Sequence, residues 1–145
     1  MLIDSPDNPI TREIIGAAIE VHRALGPGLL ESAYTRSLQF ELAARTLRFS
    51  TQVVIPMAYK GVDLGTSYRV DLIVEDRVVI EVKAVEIVLP VHKAQVLTYL
   101  RLTACPLGLL INFNVAKLLD GVYRLVNPLA VREDARAKEP RNTAD

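Results

Sequence analysis

The stretch PLGLLINFN, residues 106–114, is apolar along nearly its whole length and shows no alternation of polar and apolar positions. At strand length, such a run needs cover on both faces, which is the situation of a strand inside a sheet flanked by helices. The chain supplies the helices. NPITREIIGAAIEVHRAL, residues 8–25, places Ile14, Ala17, Ala18, Val21 and Leu25 on one face, with Asn8 as expected N-cap and Pro9 in the first turn. The turn Gly26-Pro27-Gly28 ends that helix, and a second is expected from about Leu29 to Leu47, buried through Leu30, Ala33, Tyr34, Leu38 and Leu42. After Arg48 the period changes to that of strands. FSTQVVIPMAYKG, LGTSYRVDLIVED and RVVIEVKAVE read as three consecutive, mostly antiparallel strands with breaks at Lys60-Gly61 and Glu75-Asp76. Pro90 opens a third helix, PVHKAQVLTYLRLT, before the apolar run, and GVYRLVN offers a short closing strand. The fold expected is α/β: a mixed central sheet of about four strands with flanking helices.

Half of the 145 residues are hydrophobic, which is enough for one real core and excludes wholesale disorder. Lys plus Arg and Asp plus Glu number 17 each, so no overall basic field attracts nucleic acid, and any such contact must be a local patch. A single cysteine, Cys105, excludes an internal disulfide and a thiolate zinc cluster. The opening MLIDSPDNPITREI has acids and prolines where a secretory signal has a basic and then an apolar segment, and no run is long enough to span a membrane. A cytoplasmic domain over 8–128 is expected, with 129–145, poor in large apolar residues, as a flexible tail.

The third strand carries an anomaly. By the period-two rule Val78, Ile80, Val82 and Ala84 share one face, while Val79, Glu81 and Lys83 share the other. Burying Glu81 and Lys83 among aliphatic neighbours is costly without partners. The preceding strand offers Asp71, and the hairpin register decides whether it joins them. A two-residue turn at Glu75-Asp76 sets Asp71 opposite Ile80, on the wrong face; a three-residue connection or one bulge sets it opposite Glu81. The second register is expected, because only it unites two carboxylates with an ammonium. Such a hard-oxygen site suits Mg²⁺ or Mn²⁺ and, through it, phosphodiester hydrolysis.

Asp71 followed ten positions later by Glu81-Val82-Lys83, between one helix and a helix–strand pair, resembles the core of the PD-(D/E)XK nuclease superfamily. A closer resemblance is to the family named for its G-x-x-E-x-x-Y motif, present as Gly28-Leu29-Leu30-Glu31-Ser32-Ala33-Tyr34. LGPGLLESAY, YRVDLIVED, IEVKAVE, PVHKAQVLTYL and GLLINFN fit it in order, from about Ile10 to Val126. The resemblance implies a restriction-endonuclease-like core (αβββαβ with an extra N-terminal helix) and nucleic acid, DNA or RNA, as partner. It implies Asp71 and Glu81 as metal ligands, Val82 as a further ligand through its carbonyl, and Lys83 as assistant to the attacking water. Val70 stands where the superfamily has proline. Gln95-x-x-x-Tyr99 resembles the glutamine motif of the exonuclease branch, and Glu31, after a glycine turn, sits where some members place an extra acid.

Plainer readings stand beside these. Glu81 and Lys83 suit an edge-strand ion pair, Asp71 and Gln95 exposed positions, and Glu31 a carboxylate on the helix dipole. His92 is at best a supporting group, Tyr34 and Tyr99 are core aromatics with a hydroxyl to satisfy, and His22 and Cys105 carry no role. A nuclease fold kept as a binding or regulatory module is the rival function, and hydrolysis of a small phosphate compound is a third.

Overall fold

The computed structural model describes residues 9–129. The cap expected at Asn8 and, but for Leu129, the tail expected over 129–145 lie outside them. Two helices, α1 (Pro9–Leu25) and α2 (Glu31–Ala44), precede three strands, β1 (Phe49–Tyr59), β2 (Val62–Val74) and β3 (Val78–Lys83). Helix α3 (Pro90–Thr103), strand β4 (Leu107–Asn112), a 3-10 turn (Leu118–Gly121) and strand β5 (Val122–Val126) follow. The five strands form one sheet in chain order. Every neighbouring pair is antiparallel except β3 and β4, which run parallel because α3 carries the chain back between them. The sheet therefore has five strands rather than about four, the short GVYRLVN segment being the fifth. No helix among the described residues is long and apolar enough to cross a membrane.

Two cores explain why the apolar run does not alternate. Helices α1 and α2 pack on one face through Ile14, Ala17, Val21, Tyr34, Leu38 and Leu42, against Val78, Ile80, Val82, Leu107, Leu109 and Ile111. Helix α3 covers the other face with Val96, Tyr99 and Leu100, against Val79 and Leu110. All six residues of β4 are buried. Gly108 is small because a Cβ there would lie 2.8 Å from Val96 Cγ1 on α3.

Helix α2 is shorter than the expected 29–47, for reasons at both ends. Gly28 has φ +96°, and the Tyr34 hydroxyl donates to the Gly26 carbonyl at 2.6 Å while accepting from the Leu29 N–H at 3.1 Å. Leu29 is thus tied into the turn, Leu30 is extended at φ −71° and ψ 148°, and Leu30 is 77% exposed rather than buried. At the other end Thr46 adopts φ +61°, which a right-handed helix cannot include. Tyr34 itself is fully buried and stacks on Phe113, with centroids 4.6 Å apart and planes 7° from parallel.

Strand β2 is longer than its pairing with β3 requires. It faces β1 from Val62 to Val74 but β3 only from Leu72 to Val74, so the far half of the β1–β2 hairpin stands out as an arm. Tyr59, Val62 and Leu64 are exposed on it despite their apolar character.

Candidate active site

The β2–β3 connection settles the register. The Val74 carbonyl accepts the Arg77 N–H at 3.0 Å, as in a two-residue turn through Glu75 and Asp76, both at positive φ. Val74 nevertheless pairs with Val78, leaving Arg77 as one extra residue. Glu75 is held in its left-handed conformation by Arg48, whose backbone N–H donates to Glu75 Oε2 at 2.6 Å. With Leu72 opposite Ile80, the next position brings Asp71 to Glu81.

There the ladder gives way to side chains. The Asp71 N–H donates to Glu81 Oε1 at 3.1 Å, and the Val82 N–H donates to Asp71 Oδ2 at 3.0 Å. Each carboxylate therefore takes a backbone donor from the opposite strand, with Asp71 Oδ1 and Glu81 Oε2 outside these bonds. A second irregularity opens the same point. Tyr68 and Val70 pack on the α3 side of the sheet, but Leu72 and Val74 pack on the α1–α2 side. Even-numbered residues of β2 thus change face at Asp71. Its counterpart on β1, between the pairs Thr51–Leu72 and Val53–Val70, is Gln52 at φ +49°. The exchange of faces in both strands falls at the acid pair.

Electrostatics at the pair are unfavourable without a cation. Glu81 is only 5% exposed; burial, seconded by the Asp71 charge, pushes its carboxyl up to about 8, against the Asp71 N–H bond and Lys83. Burial also raises Asp71, opposed by the Val82 N–H and by Lys83. Glu31, at the start of α2, is raised by desolvation and by Asp71 and lowered by Lys83 and His92, so the groups at the heads of α2 and α3 share one field with the pair. A hollow of ≈ 580 Å³ between α2 and β1, lined among others by Glu31, Thr35, Arg36, Gln52 and Asp71, opens onto it.

The carboxylates fit a hard divalent cation: two oxygen donors and an adjoining space for water match Mg²⁺, which is commonly held by one or two carboxylates plus waters and phosphate. Among the described residues no cluster of three or more His, Cys, Asp or Glu has ligand spacing, so Glu31 does not complete a three-acid cage.

Other residues are distributed around this centre. Lys83, half-buried, closes β3, and its carbonyl accepts the Phe113 N–H at 2.9 Å. Gln95 lies on α3 with His92, lining a separate hollow of ≈ 320 Å³. Tyr99, 3% exposed, lies close enough for the Glu81 and Asp71 charges to add to its burial and push its hydroxyl up to about 12. His22 contacts the Val115 carbonyl at 2.7 Å, a structural tie. Of the surface cations, Lys60 and Lys93 lie over the rings of Tyr59 and Tyr123.

Two positions at the site escaped the sequence reading. Gln52, opposite Asp71, carries no signal, being neither Gly nor Asn at its positive φ. Asn112, 2% exposed, accepts from the Val85 N–H at 3.0 Å and donates to the Val85 carbonyl at 2.9 Å, fixing the chain just beyond Lys83. A lone amide ending the apolar LGLLIN strand was a readable sign of such a clamp.

No curated protein and no solved structure matches this chain. Its sequence does match a family model over residues 8–125, a span holding both helical layers, the acid pair and most of the sheet, and the chain accordingly belongs to the PD-(D/E)XK nuclease superfamily.

Proposed function

We propose that the protein is a metal-dependent phosphodiester hydrolase acting on nucleic acid, of the G-x-x-E-x-x-Y type within its superfamily, and that residues 8–128 form its catalytic domain. The observation that carries this reading is the reciprocal engagement of Asp71 and Glu81 across the β2–β3 hairpin, with Lys83 near enough to oppose their raised carboxyl pKa values. Asp71, Glu81 and the Val82 carbonyl would hold Mg²⁺ or Mn²⁺, which when bound would polarise a phosphoryl oxygen and lower the pKa of water. Lys83 orients the attacking water and offsets the negative charge that accumulates on the phosphate. Water gives up a proton to solvent as its oxygen bonds to phosphorus, one ester P–O bond breaks, and the leaving oxygen takes up a proton from solvent, with no covalent intermediate. Glu31, raised by desolvation, holds a further water at the mouth of the hollow, and Gln95 positions substrate from α3. In the G-x-x-E-x-x-Y motif, Tyr34 acts at one remove: its hydroxyl bonds staple the turn that delivers Glu31.

The test has two arms. Mn²⁺ is expected to raise the melting temperature of the protein and not of Glu81→Ala, and single- or double-stranded DNA or RNA is expected to be cut by the protein and not by Lys83→Ala. A Mn²⁺ response without cleavage of any of these substrates means an inert binding module instead; no Mn²⁺ response removes the metal site itself.

A further inference from the structure

The hollow on the α3 side has a composition of its own. It is lined by Tyr68, Val91, His92, Ala94, Gln95 and Thr98, without a lysine or arginine. Tyr68 is half-buried, and its ring meets Tyr99 edge-on at 5.5 Å and 67°, which fixes the aromatic wall. His92 is fixed as well: its Nδ1 accepts the Leu89 N–H at 3.0 Å, so the neutral ring carries its proton on Nε2 as a donor. Gln95, one turn along the helix, adds an amide that both donates and accepts. The hollow therefore combines an aromatic surface, apolar patches at Val91 and Ala94, a donor of defined direction and an adaptable amide.

Those are the features that receive a planar heterocycle with a polar edge, and the absence of a cation argues against a phosphate. On the opposite layer, the ≈ 580 Å³ hollow has no aromatic lining: Arg36, Thr35, Gln39 and Thr51 stand there beside the acids Glu31 and Asp71. A backbone phosphate at the acid pair would have polar surface carrying Arg36 on the α2 side and an aromatic-walled recess on the α3 side. A base in a duplex is covered by its neighbours and occupied along its pairing edge, so only an unpaired base can enter such a recess.

We infer that Tyr68, His92 and Gln95 form a nucleobase subsite, and that the strand presented to Asp71 and Glu81 is single-stranded. This rests on the hydrolase reading for the chemistry at the acids, but its binding claim stands apart from cleavage.

The experiment measures fluorescence anisotropy of a labelled DNA oligonucleotide, of its duplex, and of the same strand carrying consecutive abasic positions, with the full chain and Ca²⁺ in place of Mg²⁺. The single strand is expected to bind about ten-fold tighter than the duplex, and the abasic strand to lose most of that advantage. Tyr68→Ala should weaken single-strand binding about ten-fold while Tyr68→Phe, which keeps the ring, stays within about two-fold. Equal or tighter duplex binding, indifference to abasic positions, or no binding of any strand overturns the inference. The abasic comparison uses the native protein and does not depend on how well a variant folds. Tyr68-dependent binding without cleavage in Mn²⁺ would remove the hydrolase reading and leave the subsite, whereas Glu81-dependent cleavage with Tyr68 irrelevant would do the reverse.

Discussion

Glu81→Gln should make the metal-free protein more stable, and only above acidic pH. The Glu81 carboxyl has a folded-state pKa of about 8 against an ordinary 4.5, because it is buried beside Asp71. Below pH 4.5 the group is neutral in both folded and unfolded chains and contributes nothing. Between 4.5 and about 8 the unfolded chain has released the proton and the folded chain has not, so stability declines as pH rises; above that the loss is constant. The interval is worth about 1.4 kcal/mol per pH unit, which sets a ceiling near 5 kcal/mol. Water entering the open end of the site reduces the effect, and a gain of about 2 kcal/mol for Glu81→Gln at pH 8 is expected. Gln keeps the shape and an oxygen acceptor for the Asp71 N–H, so packing is little altered. Urea denaturation followed by circular dichroism at pH 5 and pH 8, in chelator, gives the two differences directly. Equal differences at the two pH values would refute the electrostatic account. Mn²⁺ at a hundred times its dissociation constant should stabilise the native protein by about 2.7 kcal/mol and leave Glu81→Gln unmoved.

Asn112→Ala removes both bonds to Val85 and leaves half-buried backbone groups unpaired, so a loss of about 1–2 kcal/mol in urea denaturation is expected, with weaker Mn²⁺ binding because the chain after Lys83 loosens. Gly121→Ala drives a methyl into the Asn112 backbone carbonyl, which cannot yield as a side chain can; it should cost about 3 kcal/mol and exceed Gly108→Ala, whose clash is with side-chain methyls. Tyr34→Phe keeps the stack on Phe113 but drops both hydroxyl bonds to the glycine turn, for an expected loss of about 1–2 kcal/mol by thermal denaturation.

The readable part of this molecule was local. The ten-residue offset from Asp71 to Glu81, the change of period at Arg48 and the Pro90 helix start are properties of neighbouring residues, and periodicity places them well. The hairpin register was legible through chemistry instead: three charges in aliphatic strands had reason to meet. What stayed hidden depends on tertiary geometry. The change of face at Asp71 requires Gln52 to turn left-handed, and nothing in glutamine announces that. Leu29 and Leu30 read as helix because the tyrosine whose hydroxyl ties down the turn before α2 is several residues away. The exposure of Tyr59, Val62 and Leu64 had no sign in the sequence, because overhang is a property of strand lengths compared, which no single strand reveals. The role of α3 as lining of a second hollow depends on Tyr68, a residue of another element.

Strand β2 ends in two turns with opposite tolerance. At Lys60-Gly61 the chain turns at the tip of an arm whose residues pair only with one another, so insertions and deletions there change reach without disturbing chemistry. At Glu75–Arg77 the spacing of one residue decides whether Asp71 stands opposite Glu81 or opposite Ile80. Descendants of this chain are free to experiment with length at the first turn, while the second acts as a ratchet that admits changes of residue and none of number.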